Sequence, residues 1–291
     1  MKVLVTGATG FIGAPAVDQL LSRGHSVMAL SRQPAPGHRS GLAWHRADLS
    51  QPYSYRNAVA AFQPDACLHM AWQGIPDYSL TTSLLNLETG ALLVETLLGL
   101  GCKHFVISGS CWEYGKIAGS IREDAQPADP SVFGASKHAL HHIAAALCRA
   151  AGATLAWGRV FYPYGPRQKA ASLAPTICKA VIEGKAPALR TPAAVNDFIY
   201  VDDTAEALVT LLEKTAQGVF NIGSGCGIAV GAFANQAMAL AGHQPAFADE
   251  EMAGGNGFWA DIGALRSLGW VPGTNLQEGL RRTLAYYTAS C

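Results

Sequence analysis

Short apolar runs rich in β-branched residues alternate along the chain with longer stretches in which apolar residues recur at helical spacing. The predicted strands cover residues 2–5, 26–30, 42–46, 65–70, 103–108, 154–160 and 219–222. The predicted helices cover residues 11–23, 54–62, 84–100, 135–151, 173–183 and 203–214. Strands that alternate with helices are typical of a parallel sheet with helices on both faces. The pattern therefore predicts an α/β fold built on a doubly wound parallel sheet.

This regular alternation weakens after Pro163, where proline and glycine become more frequent. We expect a boundary near residue 165. Residues 1–165 would carry the sheet, and residues 166–291 would form a smaller C-terminal lobe interleaved with the first part. No internal repeat is found.

Charge and cysteine content exclude several classes of protein. The 291 residues include 21 basic and 21 acidic side chains, and no basic run indicates a nucleic-acid surface. No window reaches the ~18 apolar residues of a membrane span, and the first residues lack a signal-peptide pattern. The seven cysteines form no zinc motif. We therefore expect a cytoplasmic protein with reduced thiols and no membrane or nucleic-acid partner.

A glycine loop follows the first predicted strand and leads into the first predicted helix. Its spacing is Gly-x-x-Gly-x-x-Gly, and its candidate cofactor contacts are Gly7, Thr9, Gly10, Phe11, Ile12 and Gly13. Glycines allow a tight turn and close approach of a pyrophosphate, whose charge the free N–H groups of a helix N-terminus stabilise. An ordinary turn in a glycine-rich chain is the alternative. The context predicts a dinucleotide site of the Rossmann type.

The residues at the end of the second strand bear on the choice of cofactor. An acidic residue there would bind the ribose 2′-OH of NAD, but this chain has Ser31 and Arg32, with Arg39 nearby. An arginine pairs well with a 2′-phosphate. We therefore favour NADP over NAD, with a solvated surface arginine as the alternative.

The chain resembles the extended short-chain dehydrogenase/reductase superfamily, in its nucleotide-sugar epimerase/dehydratase branch. Seven motifs carry the resemblance, and they occur in the same order along the chain as in that family. The motifs are TGATGFIG (6–13), Asp48-Leu49, LHMA (68–71) followed by Asn86, SGSCWEYG (108–115), GASK (134–137), YGPR (164–167) with DFIYVDD (197–203), and VFNIGSG (219–225). The resemblance implies further cofactor contacts at Asp48, Leu49, Met70, Ala71, Trp72, Ser108, Lys137 and Tyr162. It also implies that Ser110 holds the reacting oxygen of the substrate and that the C-terminal lobe binds the substrate.

One position departs from the family pattern in a way that affects catalysis. Such enzymes carry a tyrosine four residues before the lysine as general acid/base, but this chain has Phe133 before Lys137. A phenyl ring has no titratable proton. Either another group supplies the proton, or the protein binds cofactor without turnover, or the reaction needs no proton there.

Two neighbours of Ser110 are candidates to replace the missing tyrosine. Glu113 acts near neutral pH if an apolar pocket raises its pKa, and its alternative role is to hold a loop or a helix N-terminus. Cys111 is a weak acid beside a lysine, and its alternative role is that of a small buried hydrophobe. Tyr114 and Tyr164 are further candidates.

Several positions concern the substrate. The Asp-Glu pair that dehydratases of this family use is replaced by Cys111-Trp112, which weakens the 4,6-dehydratase interpretation. Asn196 stands where relatives often carry an arginine for a diphosphate. Candidate substrate contacts are Tyr164, Arg167 and Arg190. The alternative for both arginines is that they are surface charges that do not bind the substrate.

Three histidines, His138, His141 and His142, lie on one predicted helix, and two of them share a face. No acidic or cysteine partner stands at suitable spacing, so we expect a polar face or a subunit contact and no metal site.

The favoured function is an NADP-linked reductase or epimerase acting on a hydroxyl or ketone of a sugar, expected to be nucleotide-linked. Catalysis would use Ser110, Lys137, and Glu113 or Cys111 in place of Phe133. The alternative is a non-catalytic sensor or structural protein that binds NAD(P). By analogy with the family, the helices at 84–100 and 135–151 are expected to pair in a homodimer.

Overall fold

The structure, a computed structural model, describes residues 1–33 and 37–289. Within them no disulfide joins any of the six cysteines, and Cys291 lies outside the described residues. No helix of the described part is long and apolar enough to cross a membrane.

A seven-stranded sheet lies at the centre of the fold. The strands in chain order are β1 (Lys2–Thr6), β2 (Ser26–Ser31), β3 (Leu42–Arg46), β4 (Ala66–His69), β5 (His104–Ser110), β6 (Gly119–Ile121), β7 (Thr154–Val160), β8 (Tyr162–Tyr164), β9 (Val195–Asn196), β10 (Phe198–Tyr200), β11 (Gly218–Ile222), β12 (Ile228–Ala229) and β13 (Phe258–Ala260). The order in the central sheet is β11-β7-β5-β4-β1-β2-β3. Val3 of β1 lies opposite Val27 of β2 on one side and Ala66 of β4 on the other, in parallel register. The predicted α/β class and doubly wound parallel sheet are confirmed.

The helices fill the connections between the strands. They are α1 (Gly13–Ser22), α2 (Arg56–Phe62), α3 (Leu80–Gly99), α4 (Val132–Ala150), α5 (Leu173–Ile182), α6 (Val201–Glu213), α7 (Val230–Leu240), α8 (Asp249–Met252), α9 (Gly263–Ser267) and α10 (Leu276–Ala289). Two short 3₁₀ turns, Pro52–Ser54 and Cys111–Tyr114, complete the set.

Serine caps explain why the two long helices begin earlier than predicted. The Oγ of Ser79 accepts a hydrogen bond from the N–H of Thr82, and the Oγ of Ser131 accepts one from the N–H of Gly134. A serine at this position satisfies an N–H group that the helix itself leaves unpaired. The start of each helix therefore follows its cap rather than its first apolar residue.

The chain divides into two compact units. Unit 1 comprises Met1–Lys116, Gln126–Arg159 and Ala205–Phe220, and unit 2 comprises Ile117–Ala125, Val160–Thr204 and Asn221–Cys291. The core of unit 1 packs the sheet against α3 and α4 through fully buried side chains such as Leu93, Leu140 and Trp157.

Unit 2 has a separate core in which β8 pairs with β10 in parallel. The ring of Tyr164 on β8 meets Phe198 of β10 and Phe233 of α7 edge to face, with centroid distances of 6.4 and 5.3 Å. Such aromatic contacts stabilise a small core that has little regular sheet.

Candidate active site

The glycine loop between β1 and α1 makes a tight turn. Gly7 adopts a φ of +72°, and its carbonyl accepts a 2.8 Å hydrogen bond from the N–H of Gly10. A Cβ at Gly7 would lie 2.8 Å from the backbone nitrogen of Ala71, and a Cβ at Gly13 would lie 1.9 Å from the carbonyl oxygen of Gly7. Both positions therefore require glycine, one for close approach to β4 and the other to bring α1 against the loop.

Helix α1 begins without a side-chain cap, since its N-cap residue is Ile12. The first N–H groups of a helix carry partial positive charge and lack partners inside the helix. The Ala14 N–H donates to the Gly10 carbonyl and Pro15 has no N–H, so the groups available to an anion are the N–H groups of Phe11, Ile12 and Gly13. The loop formed by Gly7, Thr9, Gly10, Phe11 and Gly13 thus has the form of a phosphate cradle.

Thr6 and His69 fix the loop against the carboxyl end of β4. Thr6 Oγ1 and His69 Nδ1 are 2.6 Å apart, and the Ala71 N–H donates to Thr6 Oγ1 at 3.3 Å. Both side chains are buried, and burial together with the charge of Lys137 lowers the pKa of His69 to about 3. The neutral imidazole therefore acts as a fixed hydrogen-bonding partner of the loop, a role that sequence reasoning missed.

Arg32 follows β2 at the same edge of the sheet and is exposed. Its guanidinium donates to Gln73 Oε1 at 2.9 Å, and the backbone of Gln73 is held by Asn86 through hydrogen bonds of 2.8 and 3.0 Å. Arg39, by contrast, forms an ion pair with Asp18. The arrangement keeps Arg32, but not Arg39, close to the end of β4.

Asp48 follows β3 and is exposed, with Leu49 half-buried beside it. One carboxylate oxygen of Asp48 accepts hydrogen bonds from the N–H and the hydroxyl of Ser50, which lower its pKa. The charged carboxylate is thereby fixed at the sheet edge near Arg32, whose charge also favours it.

Lys137 is a buried cation of unit 1. Its Nζ donates to the carbonyl of Ser108 at 2.7 Å and lies 4.2 Å from the centroid of the Trp72 ring. Burial lowers the pKa of Lys137 to about 8, although the charge of Glu113 opposes the shift. The structure therefore brings Lys137, Ser108 and Trp72 together, as the sequence motifs predict.

Glu113 is fully buried in the 3₁₀ turn that follows β5. Its carboxylate accepts hydrogen bonds from the Ser110 N–H at 2.8 Å, from Trp157 Nε1 at 2.9 Å and from Arg159 Nε at 3.0 Å. Burial alone would raise its pKa, but His138, Arg159 and these hydrogen bonds outweigh it and lower the pKa. A carboxylate that is ionised and fully engaged favours the loop-holding role over that of a proton donor.

The other candidate beside Ser110 is Cys111, which is buried in the same turn. The hydroxyl of Ser110 is half-buried and accepts a 3.2 Å hydrogen bond from the Trp112 N–H. Gly134 allows α4 to approach this turn, because a Cβ there would lie 2.1 Å from the Trp112 carbonyl oxygen. The turn is thus held both by Glu113 and by the helix that carries Lys137.

Phe133 lies in a group of four aromatic side chains, which we call the aromatic cluster. It meets Trp72, Trp112 and Tyr78 edge to face, with ring centroids 5.4, 5.7 and 5.0 Å away. Tyr78 also contacts Trp112 at 5.1 Å. The cluster places a phenol beside the ring that replaces the family tyrosine.

Tyr78 was not a candidate from the sequence, because it belongs to no motif and stands in the loop before α3. Its ring is 37% exposed and partial burial raises its pKa. The aromatic residues in positions 72 and 112 are the signal that would have pointed to it, since each flanks a predicted cofactor or substrate contact.

The remaining candidates belong to unit 2. Tyr162 is half-buried on β8, and its N–H donates to the Asp197 carbonyl at 3.0 Å. Tyr164 is buried and its hydroxyl donates to the Leu276 carbonyl at 3.3 Å, while burial raises its pKa. These contacts favour a core role for Tyr164.

Arg167 and Arg190 are exposed and form no ion pair with any described residue. They remain accessible to an anion. The DFIYVDD motif has a structural explanation: the buried carboxylate of Asp197 accepts hydrogen bonds from Ser224, Gly225 and Ala260.

Comparisons with known proteins agree with this geometry. A family model described as NAD dependent epimerase/dehydratase family matches residues 3–223. The probable dTDP-glucose 4,6-dehydratase of Sinorhizobium fredii is 28% identical over 254 residues, which cover 77% of this chain and 71% of that protein. The dTDP-glucose 4,6-dehydratase 1 of Escherichia coli is 25% identical and the match covers 100% of this chain and 93% of that protein.

A solved structure of UDP-glucose 4-epimerase from Thermus thermophilus, in complex with NAD, superposes with a TM-score of 0.83. It is 26% identical and the match covers 100% of both chains. The resemblance inferred from the motifs is confirmed at the level of family and fold.

Proposed function

Because the chain belongs to the NAD dependent epimerase/dehydratase family, we propose that it is an enzyme that binds a nicotinamide dinucleotide and acts on a sugar hydroxyl or ketone. The relatives described above are enzymes by name, and none of them favours the non-catalytic alternative. The observation that carries the proposal is the glycine-rich loop from Gly7 to Gly13, which leads into a helix without a side-chain cap.

The residues present fit the cofactor. Gly7 and Gly13 allow the close backbone contacts that form the tight loop, and the N–H groups between the loop and the start of α1 would compensate the charge of a pyrophosphate. Lys137 and Ser108 would hold the nicotinamide ribose, and Asp48 would accept from the adenine amino group. When bound, such a cofactor accepts or returns a hydride.

We assign NADP rather than NAD on the basis of Arg32. Its guanidinium is held at the sheet edge by Gln73 and has exposed N–H groups, and a 2′-phosphate offers paired acceptors to such a fork. The UDP-glucose 4-epimerase described above carries NAD, so this assignment is the part of the proposal most specific to this chain.

The proton is the part of the reaction that Phe133 cannot supply. Glu113 is ionised and bound to three donors, so we assign the proton to the phenol of Tyr78, whose ring lies 5.0 Å from that of Phe133. Ser110 would hold the substrate oxygen.

A nucleotide sugar is the substrate class that the relatives' names support, as UDP- or dTDP-linked sugars. The missing Asp-Glu pair at 111–112 favours epimerisation or simple oxidoreduction over dehydration. Arg167 and Arg190 are the exposed cations of unit 2 that we assign to the anionic part of the substrate. A cytoplasmic location is part of the same proposal.

A panel of UDP- and dTDP-sugars with NADP⁺ tests these assignments. Net oxidation of a sugar is followed by the absorbance of reduced cofactor, and epimerisation, which regenerates NADP⁺, is followed by chromatography of the sugar products. Tyr78→Phe should lower kcat by about 10²–10⁴, as for loss of a general acid/base, without changing dinucleotide affinity. Adding Phe133→Tyr to that variant should restore part of the rate, because it returns a phenol to the family position.

Two results would count against the proposal. If the kcat of Tyr78→Phe equals that of the wild type, the phenol of Tyr78 is not the proton donor. Saturable dinucleotide binding with no turnover of any sugar in the panel would instead favour the non-catalytic alternative.

We also propose that the protein is a homodimer through α3 and α4. The exposed face of α4 carries Val132, Ala135 and Ile143, and α3 exposes Leu80 and Leu84. An apolar stripe on neighbouring helices is what a two-fold helix bundle requires. Sedimentation should give a dimer for the wild type and a monomer for Ile143→Glu, and a monomeric wild type would contradict the proposal.

A further inference from the structure

Three histidine rings converge on the partly exposed face of α4, outside the residues assigned to catalysis. His138, His141 and His142 stand at positions i, i+3 and i+4, which lie on one side of a helix. The Nε2 atoms of His138 and His142 are 3.0 Å apart, and one ligating atom from each of the three residues lies within 4.8 Å of the others.

The sequence shows no acidic residue at a suitable spacing from these histidines, but the fold brings one to them from another element, the 3₁₀ turn that contains Glu113. Nδ1 of His138 is buried, has no hydrogen-bond partner among the described residues, and lies 3.9 Å from Oε2 of Glu113. A proton on Nδ1 faces that carboxylate and leaves the lone pair of His138 on Nε2. A carboxylate behind a histidine in this way orients the ring and strengthens it as a metal ligand.

The separation of the two Nε2 atoms indicates which coordination geometry the pair suits. With metal–nitrogen bonds of about 2.0–2.1 Å, atoms 3.0 Å apart subtend an angle of about 91–97° at the metal. A tetrahedral ion would need the same atoms about 3.3 Å apart or more. The two Nε2 atoms share a hydrogen bond in this structure, and two cis ligands of one tetragonal or octahedral ion, the geometries that Ni²⁺ and Cu²⁺ favour, would lie at nearly the same separation.

His141 is placed as the third ligand. Its ring packs on Trp157 at a centroid distance of 5.1 Å, and its Nδ1 is buried with no hydrogen-bond partner among the described residues. Two ligands of one ion lie at most about 4.2 Å apart, so a small side-chain rotation closes the site.

We propose that His138, His141 and His142 form a binding site for one divalent first-row transition-metal ion, preferentially Ni²⁺ or Cu²⁺, with Glu113 as the carboxylate behind His138. The site requires neither the dinucleotide nor a sugar. It connects the surface of α4 to the turn that carries Ser110, because Glu113 accepts the hydrogen bond of the Ser110 N–H.

Calorimetric titration with Ni²⁺ tests the site, using protein from which any polyhistidine tag has been removed. Ni²⁺ is the probe because, unlike Cu²⁺, it does not oxidise thiols. The wild type should bind one Ni²⁺ per chain. Its affinity for Zn²⁺ should be no higher than its affinity for Ni²⁺, and it should show no measurable binding of Mg²⁺. His142→Ala should weaken Ni²⁺ binding more than tenfold, whereas His38→Ala, a change at an exposed histidine outside the cluster, should leave it unchanged.

Thermal unfolding separates loss of the site from loss of the fold. His142 lies on the face of α4 that we propose meets the partner chain, so the test uses the Ile143→Glu variant as its parent. Without metal, adding His142→Ala should leave the unfolding temperature of this parent unchanged, and Ni²⁺ should raise the Tm of the parent but not of the double variant. The proposal is overturned if the wild type shows no saturable Ni²⁺ binding, or if His142→Ala binds Ni²⁺ as the wild type does.

Discussion

Replacing Glu113 by glutamine separates its two possible roles, as an anchor of the Ser110 turn and as a proton donor. Glutamine has the same shape, and its carbonyl oxygen can still accept from Ser110 and Trp157. Its amide group, however, would face the buried guanidinium of Arg159, which the carboxylate now contacts at 3.0 Å. The substitution therefore leaves a buried cation without its counter-charge.

The expected cost follows from that burial. Glu113 and the Arg159 side chain are 0% and 4% exposed. Removing one partner of such a buried pair costs about 3–5 kcal/mol, a large part of the ~5–15 kcal/mol that holds a typical domain folded. Replacing Arg159 by methionine in the same chain should recover part of the loss, because the unpaired charge is then removed as well.

Urea unfolding followed by tryptophan fluorescence and circular dichroism measures the effect. Glu88→Gln is the matched control, since Glu88 is exposed on α3 and such surface changes stay within about ±0.5 kcal/mol. Hydrogen exchange of β5 and α4 amides would assign the loss to unit 1.

The pH dependence gives a second readout. The pKa of Glu113 is lowered in the folded protein from its ordinary value of 4.5, so the carboxylate stabilises the fold above that value. This stabilisation is lost as the pH falls through the folded pKa. The difference in stability between wild type and Glu113→Gln should therefore narrow below about pH 4.5. An unchanged stability together with a 10²–10⁴-fold loss of turnover would refute the anchoring role and make Glu113 the proton donor.

Three further substitutions test separate contacts. Arg32→Ala should weaken NADPH binding about tenfold and leave NADH binding unchanged, as expected for one charge-assisted hydrogen bond to a 2′-phosphate; equal effects on both cofactors would contradict the NADP assignment. Lys137 loses its charge as the pH rises through about 8, so NADPH affinity should fall across that range in the wild type but not in Lys137→Met; parallel pH profiles would show that Lys137 does not contact the cofactor. Asp197→Asn should destabilise unit 2 by at least about 2 kcal/mol in urea unfolding. The two carboxylate oxygens of Asp197 accept from Ser224 and from Ala260, and an amide has only one oxygen that can accept. An unfolding free energy equal to that of the wild type would mean that these hydrogen bonds make no net contribution to stability.

Apart from β6, a strand of three residues, the strands and helices of the first 160 residues could be predicted because each has a periodic pattern and a clear boundary signal. β7 was predicted with its observed bounds, Thr154–Val160. The short strands of unit 2 could not be predicted, since β8, β9 and β10 have only two or three residues each and depend on pairing with distant segments.

The candidate site could be predicted where sequence motifs specify both a residue and the residues that lie next to it in the site. The motifs predict that Lys137 and Ser108 both belong to one cofactor site, and in the structure Lys137 Nζ donates to the Ser108 carbonyl. The surroundings of Glu113 were not predictable, because Trp157 and Arg159 lie 44 and 46 residues further along the chain. Tyr78 was missed for the same physical reason: its contacts come from loop packing and follow no spacing.

Titration with NADPH tests the central claim, that the loop from Gly7 to Gly13 binds a dinucleotide pyrophosphate. Gly7 and Gly24 both have positive φ, +72° and +78°, but a Cβ meets backbone only at Gly7 and nothing within 4 Å at Gly24. Alanine at either position carries the same conformational cost of about 1–2 kcal/mol. The wild type and Gly24→Ala should bind one NADPH per chain with equal affinity, and Gly7→Ala should lose binding. No saturable binding of any nicotinamide dinucleotide by the wild type, or equal binding by both variants, would contradict the account.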